Sequence, residues 1–229
     1  MAVSERITEL HLASAISRDT GLLISDSTCP ADVRAAYEQT YLNVRFAMLS
    51  GPSSTLLISA VDATSSSAAL AANMAILAAK DGERVVLVDA DPHAPTLDSV
   101  YNLPAEVGFT DLIREDSPDV PATLQHAADL PNLLLLGVGA AGPIPGGIGR
   151  SPGLSEVLHR LKSVADRVIM IGAPILTHVD SMDLCPLVNG VVIAVTPGQT
   201  HRLDARRARE VLDRVRAPLL GVVLTRKIV

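Results

Sequence analysis

Six short apolar runs punctuate the chain: Leu56–Ser59, Val85–Asp89, Leu133–Leu136, Val168–Ile171, Val191–Val195 and Leu219–Leu224. Their apolar residues are consecutive rather than alternating, which suits a strand buried on both faces. Between them lie stretches with helical character, at 65–80, 154–165, 180–187 and 203–215. The first of these starts on hydroxyl residues and has Gly82 just past its end, a helix-stop signal. Short continuous strands alternating with helices need crossover connections, which are right-handed and leave the strands parallel. The expected fold is α/β, a mainly parallel β-sheet flanked by helices in three layers. Ligands on such a sheet sit at the carboxyl ends of the strands. The segments of interest are therefore 60–67, 89–93, 137–147, 172–178 and 196–201.

Composition agrees with a large aliphatic core. Hydrophobic residues make up 48% of the 229 residues and aromatic residues only 2%, with no Trp. The formal net charge of −6 argues against a broad surface for nucleic acid or anionic lipid. Cys29 and Cys185 are far apart and lack metal-ligand spacing, which fits a reducing, cytoplasmic setting. The first residues carry Glu5, Arg6 and Glu9 where a secretory leader needs an apolar run, and no stretch has the length of a membrane span. Residues 1–30 are expected to form an N-terminal extension and 31–229 a single domain. A helix is expected over 31–49, with Val33, Tyr37, Tyr41, Val44 and Met48 on one face.

The loop after the first run is where an α/β nucleotide-binding protein holds phosphate. That task needs glycines, so that backbone amides can turn inward, a lysine for the outer phosphates and a Ser or Thr for Mg²⁺. The segment 59–72 has neither glycine nor lysine; it offers Thr64, Ser65, Ser66 and Ser67. Taken alone, the serines are expected to cap the following helix. The same amides and helix dipole can attract a sulfate or phosphate weakly.

Several segments, in order and in register, nevertheless resemble one family. Residues 36–46 read A-Y-E-Q-T-Y-L-N-V-R-F, 59–75 read S-A-V-D-A-T-S-S-S-A-A-L-A-A-N-M-A, and 89–95 read D-A-D-P-H-A-P. The segment 102–113 and the last two strands, V-N-G-V-V-I-A-V and L-G-V-V-L-T, continue the pattern. Together they resemble the bacterial tyrosine kinases of capsule and exopolysaccharide synthesis, members of the ParA/MinD group with a deviant P-loop. The resemblance spans about residues 32–225. It places the two P-loop glycines on Thr64 and Ser66, the lysine on Ser67, the Mg²⁺-binding hydroxyl on Ala68 and the Walker B aspartate on Gly172. Asp89 and Asp91 match the family's catalytic and metal-binding carboxylates, and the arginine of the same motif becomes His93.

These departures fall on the groups that hold a triphosphate. Charge-assisted contacts contribute roughly 1.5–3 kcal/mol each, and phosphoryl transfer depends almost wholly on them. The resemblance thus implies a catalytically inactive homologue that serves as a protein-interaction scaffold or regulator in capsule or exopolysaccharide synthesis. Asp89 and Asp91 are then vestigial, Thr64–Ala68 is a degenerate phosphate loop, and no cofactor is expected beyond a weak anion or Mg-ATP. The implied partner is a membrane polysaccharide co-polymerase or adaptor, or an active paralogue. Such a partner would recruit the chain to the inner face of the membrane without direct insertion. The family's ring-forming E-x-x-R-x-x-R motif falls on Ala35, Glu38 and Tyr41, so a family-type ring is not expected, although other oligomers stay open. Two further readings remain: an ATP-dependent protein tyrosine kinase or ATPase with an atypical loop, and a ParA/MinD-like positioning protein. The histidines have no ligand spacing and no metal site is expected, although His93, His178 and His201 can meet at the carboxyl edge. The arginine-rich segment 202–216 is expected to be a solvated helix face, supported by the Glu210–Arg214 spacing.

Overall fold

The computed structural model describes residues 17–19, 23–24, 29–48, 53–63, 67–101, 103 and 107–227. The strands are β1 (Ser17–Asp19), β2 (Ser54–Ala60), β3 (Val85–Ala90), β4 (Gln125–Ala127), β5 (Leu130–Leu136), β6 (Arg167–Gly172), β7 (Gly190–Val195) and β8 (Leu219–Lys227). The helices are α1 (Ala31–Ala47), α2 (Ala68–Lys80), α3 (Leu97–Tyr101), α4 (Phe109–Leu112), α5 (Val120–Thr123), α6 (Leu154–Val164), α7 (Asp180–Leu184) and α8 (Arg202–Arg214). Among the described residues one eight-stranded sheet forms in the order β1-β8-β7-β2-β6-β3-β5-β4. Every neighbouring pair is parallel except β4–β5. All six apolar runs are strands, and the parallel α/β fold is the one the alternation implies.

The central strands β2 and β3 are buried along their whole length. Their side chains feed two apolar clusters, one on each face. One packs Leu56, Ile58 and Leu87 under α2 and α1. The other packs Leu57, Val86 and Val88 under α6 and α8. Helix α2 is almost wholly apolar and buried from Leu70 to Ala79, because alanines let it lie close on the sheet. Its Asn73 is buried and accepts the Ile24 amide through Oδ1 at 2.8 Å. Ser17–Asp19, inside the stretch expected as an extension, adds a short strand parallel to β8. The short strand β4 and the helices α3 and α5, which sequence periodicity did not indicate, lie within the polar excursion between β3 and β5.

Tyr37 and Tyr41 are buried in the core. Phe46, although apolar, is 66% exposed, because at helical spacing it points to the side opposite the Val33–Tyr37–Tyr41–Val44 face. On α8, Arg207 pairs with Asp204 and Arg209 with Asp213. Arg214 instead reaches the Glu210 backbone carbonyl at 3.4 Å, so the expected Glu210–Arg214 ion pair is replaced by its neighbours. Both cysteines are buried and free.

One ionic cluster fixes the amino ends of the central strands. The Arg167 guanidinium makes a two-pronged contact with the Glu83 carboxylate and donates through Nη1 to Ser54 Oγ at 2.8 Å. Arg167 and Glu83 are only 12% and 17% exposed, so this pair is shielded where Arg84–Asp166 is open to water. Glu83→Gln is expected to lower unfolding free energy by about 2 kcal/mol, measured by urea denaturation. Asp81→Asn, at the exposed Arg45 pair, should change it by less than about 1 kcal/mol.

Candidate functional site

The parallel topology brings the ends of β2, β3, β6 and β7 to one edge, where the loops following them meet. Thr64, Ser65 and Ser66 lie outside the described residues. Ser67 is buried and stands directly before α2. Its expected capping role is not realised: its backbone is already in the helical region (φ −91°, ψ −24°), whereas a capping side chain needs an extended backbone to reach back to the first-turn amides. The Ser67 hydroxyl donates instead to the Gly172 carbonyl, at 3.4 Å across the sheet edge. Ala68 opens the helix and presents no hydroxyl.

Gly172, the last residue of β6, is enclosed. A Cβ added there would collide with Ser181 Oγ and stand 2.8 Å from Leu57 Cδ1 and 3.4 Å from Ser59 Cβ. Those neighbours are themselves fixed. Ser59 Oγ and Ser181 Oγ each donate to the Ala173 carbonyl at 2.6 Å, holding the β2 end and α7 against the β6 end. The space beside Gly172 is filled by side chains of the protein.

Asp89 is completely buried near the end of β3. Its Oδ2 accepts the Thr96 and Leu97 amides at 2.8 and 2.9 Å, and its Oδ1 accepts the Asp91 amide at 3.1 Å. Burial pushes its pKa up to about 6, outweighing the pull of the three amides in the other direction. Asp91 is nearly buried and accepts the His93 and Ala94 amides through Oδ1, at 3.0 and 3.2 Å. Asp91 thereby closes a turn around Pro92 by an Asx-type contact. Both carboxylates are thus engaged in folding the 91–97 turn.

His93, in that turn, reaches across the edge. Its Nε2 lies 2.8 Å from Asp180 Oδ2, and its ring stacks on His178 with centroids 3.6 Å apart and planes 10° from parallel. Sequence placed His93 and His178 at this edge together with His201. The structure brings the first two together, and the third member of the group is Asp180 rather than His201. Asp180 was missed because it lies 87 residues from His93 along the chain; only the strand order makes them neighbours.

The Gly/Pro-rich segment 137–149 is tied down at both ends. Gly137 and Val138 carbonyls accept the Phe109 and Thr110 amides, each at 2.9 Å. Gly108 makes this approach possible, since a Cβ there would run into the backbone of residues 137 and 139. At the other end, Ile148 and Gly149 amides donate to Asp180 Oδ1 and Asp183 Oδ2, at 3.2 and 2.8 Å.

No family model matches the chain. Among curated proteins, the tyrosine-protein kinase YwqD of Bacillus subtilis (strain 168) is 27% identical over 194 residues, covering 83% of this chain and 80% of the relative. The chain is a homologue of the bacterial tyrosine-protein kinases. The succinoglycan biosynthesis transport protein ExoP of Rhizobium meliloti (strain 1021) is 25% identical over 201 residues, 84% of this chain but 25% of the relative. The kinase domain of the Escherichia coli tyrosine kinase ETK superposes with a TM-score of 0.82 at 16% identity, covering 100% of this chain and 95% of the other. The septum site-determining protein MinD from Pyrococcus horikoshii, complexed with Mg-ADP, gives 0.61 at 19% identity, covering 75% and 70%. The fold of this kinase homologue is therefore the ParA/MinD-like one. Among its described residues no helix is long and apolar enough to cross a membrane.

Proposed function

We propose that this chain is a non-catalytic homologue of the exopolysaccharide tyrosine kinases, which acts by binding protein partners in capsule or exopolysaccharide synthesis. The observation that carries this reading is the filled end of β6. Gly172 stands where the resemblance puts the Walker B aspartate, and Ser181, Leu57 and Ser59 occupy the room that an acidic side chain would need. Three further features support it. Ser67, at the lysine position, turns its hydroxyl to the Gly172 carbonyl. Ala68 has nothing to offer Mg²⁺. Asp89 and Asp91 are committed to backbone amides rather than turned outward. Lys80, the lysine nearest in sequence, is at the far end of α2. In this reading the residues present do not fit Mg-ATP.

In this reading the protein keeps the kinase architecture as a recognition surface. Its partner is a membrane polysaccharide co-polymerase or adaptor, or an active paralogue, which recruits it to the inner face of the membrane. Support for the pathway comes from the relatives, one of which is a succinoglycan biosynthesis transport protein.

The test is a titration of Mg-ATP and Mg-ADP into the purified chain, followed by calorimetry and thermal shift. Without the lysine, the hydroxyl and the carboxylate, affinity should fall by several orders of magnitude from that of an intact site. The expected outcome is no saturable heat and no change in Tm up to millimolar nucleotide. Micromolar binding would overturn the proposal and restore the kinase or ATPase reading.

A further inference from the structure

We propose that His93, His178 and Asp180 form a binding site for a borderline divalent transition metal of the Zn²⁺ type. One ligand atom from each of the three lies within 4.8 Å of the other two. Two imidazoles and one carboxylate are a donor set that Zn²⁺, Co²⁺ and Ni²⁺ favour, and that the all-oxygen preferences of Mg²⁺ and Ca²⁺ do not.

The electrostatics favour a cation at this place. The Asp180 side chain is only 3% exposed, and a carboxylate at that depth calls for a positive partner. Its ionic partner among the described residues is His93; no Lys or Arg pairs with it. Asp180 is also oriented in advance. The Ile148 amide holds Oδ1, which leaves Oδ2 directed at His93. An outer hydrogen bond of this kind is what fixes a metal-binding carboxylate in place.

Metal entry requires a small rearrangement. Ligand atoms around a tetrahedral Zn²⁺ stand roughly 3.3 Å apart, so the widest separation must shrink by at most about 1.5 Å. A cation also lies in the plane of each imidazole it binds, and the two rings now lie face to face. The rings must therefore splay apart. His93 sits in an exposed turn and His178 on the loop after β6, so rotation of these side chains suffices without movement of the sheet. Three protein ligands leave a fourth position for water or for a donor from another molecule.

The site would join parts of the fold that are separate in sequence. His93 belongs to the turn after β3, His178 to the loop after β6, and Asp180 grips the Ile148 turn that ends the Gly/Pro-rich segment. A bound metal would lock all three at the carboxyl edge. The inference does not depend on whether nucleotide binds, and its test uses none.

The experiment uses the full chain with any affinity tag removed, stripped of metal by a chelator. Zn²⁺ is titrated by calorimetry, and Co²⁺ is followed by its visible d–d absorption. The expected result is one equivalent of Zn²⁺ per chain, a Co²⁺ spectrum typical of four-coordination, and no displacement by excess Mg²⁺. His93→Ala and His178→Ala should each weaken Zn²⁺ binding by at least ~10-fold, whereas His201→Ala should leave it unchanged. Both histidines are partly solvent-accessible, so these variants are chosen over Asp180→Asn, which also loosens the Ile148 turn; circular dichroism checks that they fold. Absence of saturable stoichiometric uptake, displacement by Mg²⁺, or uptake indifferent to both substitutions would overturn the proposal.

Discussion

Gly172→Asp is expected to destabilise the protein by about 4 kcal/mol, seen as a lower urea midpoint at neutral pH with an unchanged m-value. Two effects combine. The new Cβ is forced against Ser181 Oγ and Leu57 Cδ1, and overpacking of this kind costs about 1–3 kcal/mol. The carboxylate beyond it enters a buried strand end, which adds several kcal/mol more unless it protonates. Gly172→Ala isolates the first effect and should cost about 2 kcal/mol. Ser181→Gly in the Gly172→Asp background should return part of the loss, because it removes the nearest obstacle; the coupling is read from a double-mutant cycle. If Gly172→Asp were as stable as the wild type, the strand end would be open and the non-catalytic reading would lose its main support. The resemblance puts the Walker B aspartate at this place, so the experiment asks whether the fold has room for one.

The second large effect concerns Asp89 and pH. Its pKa rises from an ordinary 3.8 in an exposed carboxyl to about 6 in the folded protein, chiefly through burial. A raised carboxyl pKa means that the folded state binds the proton more tightly than the unfolded one. Its contribution to stability is therefore complete below about pH 4 and is lost as pH rises through about 6. The loss amounts to about 3 kcal/mol across that window. Asp89→Asn carries no charge at any of these pH values. The stability difference between wild type and Asp89→Asn should consequently shift by about 3 kcal/mol against the wild type between pH 4 and pH 7, measured by denaturant unfolding at several pH values. A difference that stays flat with pH would mean that the three amides accepted by this carboxylate fully offset its burial.

The sheet was legible because its strands are buried on both faces, so each of the six runs is continuously apolar and bounded by polar loops. β1 (SRD) and β4 (QHA) carried no such signal. They are three residues long and polar, and they pair only because a longer strand lies beside them. Local rules failed where a long-range contact outweighed them. Ser67 stands at a helix start, yet a carbonyl 105 residues away takes its hydroxyl. Phe46 is apolar but falls outside the buried stripe of α1, which helical angle decides and composition does not. In the candidate site, Asp89, Asp91, Ser67 and Gly172 were identifiable from register. What fills the space beside Gly172 was not, because Ser181 arrives from α7 and Leu57 from β2. His93 and His178 were legible as residues of one edge. Their stacking and the Asp180 carboxylate beneath them emerge only from the strand order.

The three-residue strands at the two margins of the sheet bear on how this chain can associate. A long, flat, uncovered margin offers a row of free amides and carbonyls to which another chain can add a strand, the usual route to edge-to-edge aggregation. Here β1 shields part of β8 on one side, and β4, running antiparallel with an irregular register, blunts the other. β4 is too short a template for stable strand addition, but among the described residues β1 pairs only with Thr225–Lys227, which leaves the Leu219–Leu224 part of β8 with no strand on that side. Strand addition to this molecule would then be confined to that stretch of β8, where Val222 and Leu224 are exposed, and the aliphatic strands at the centre of the sheet stay out of reach.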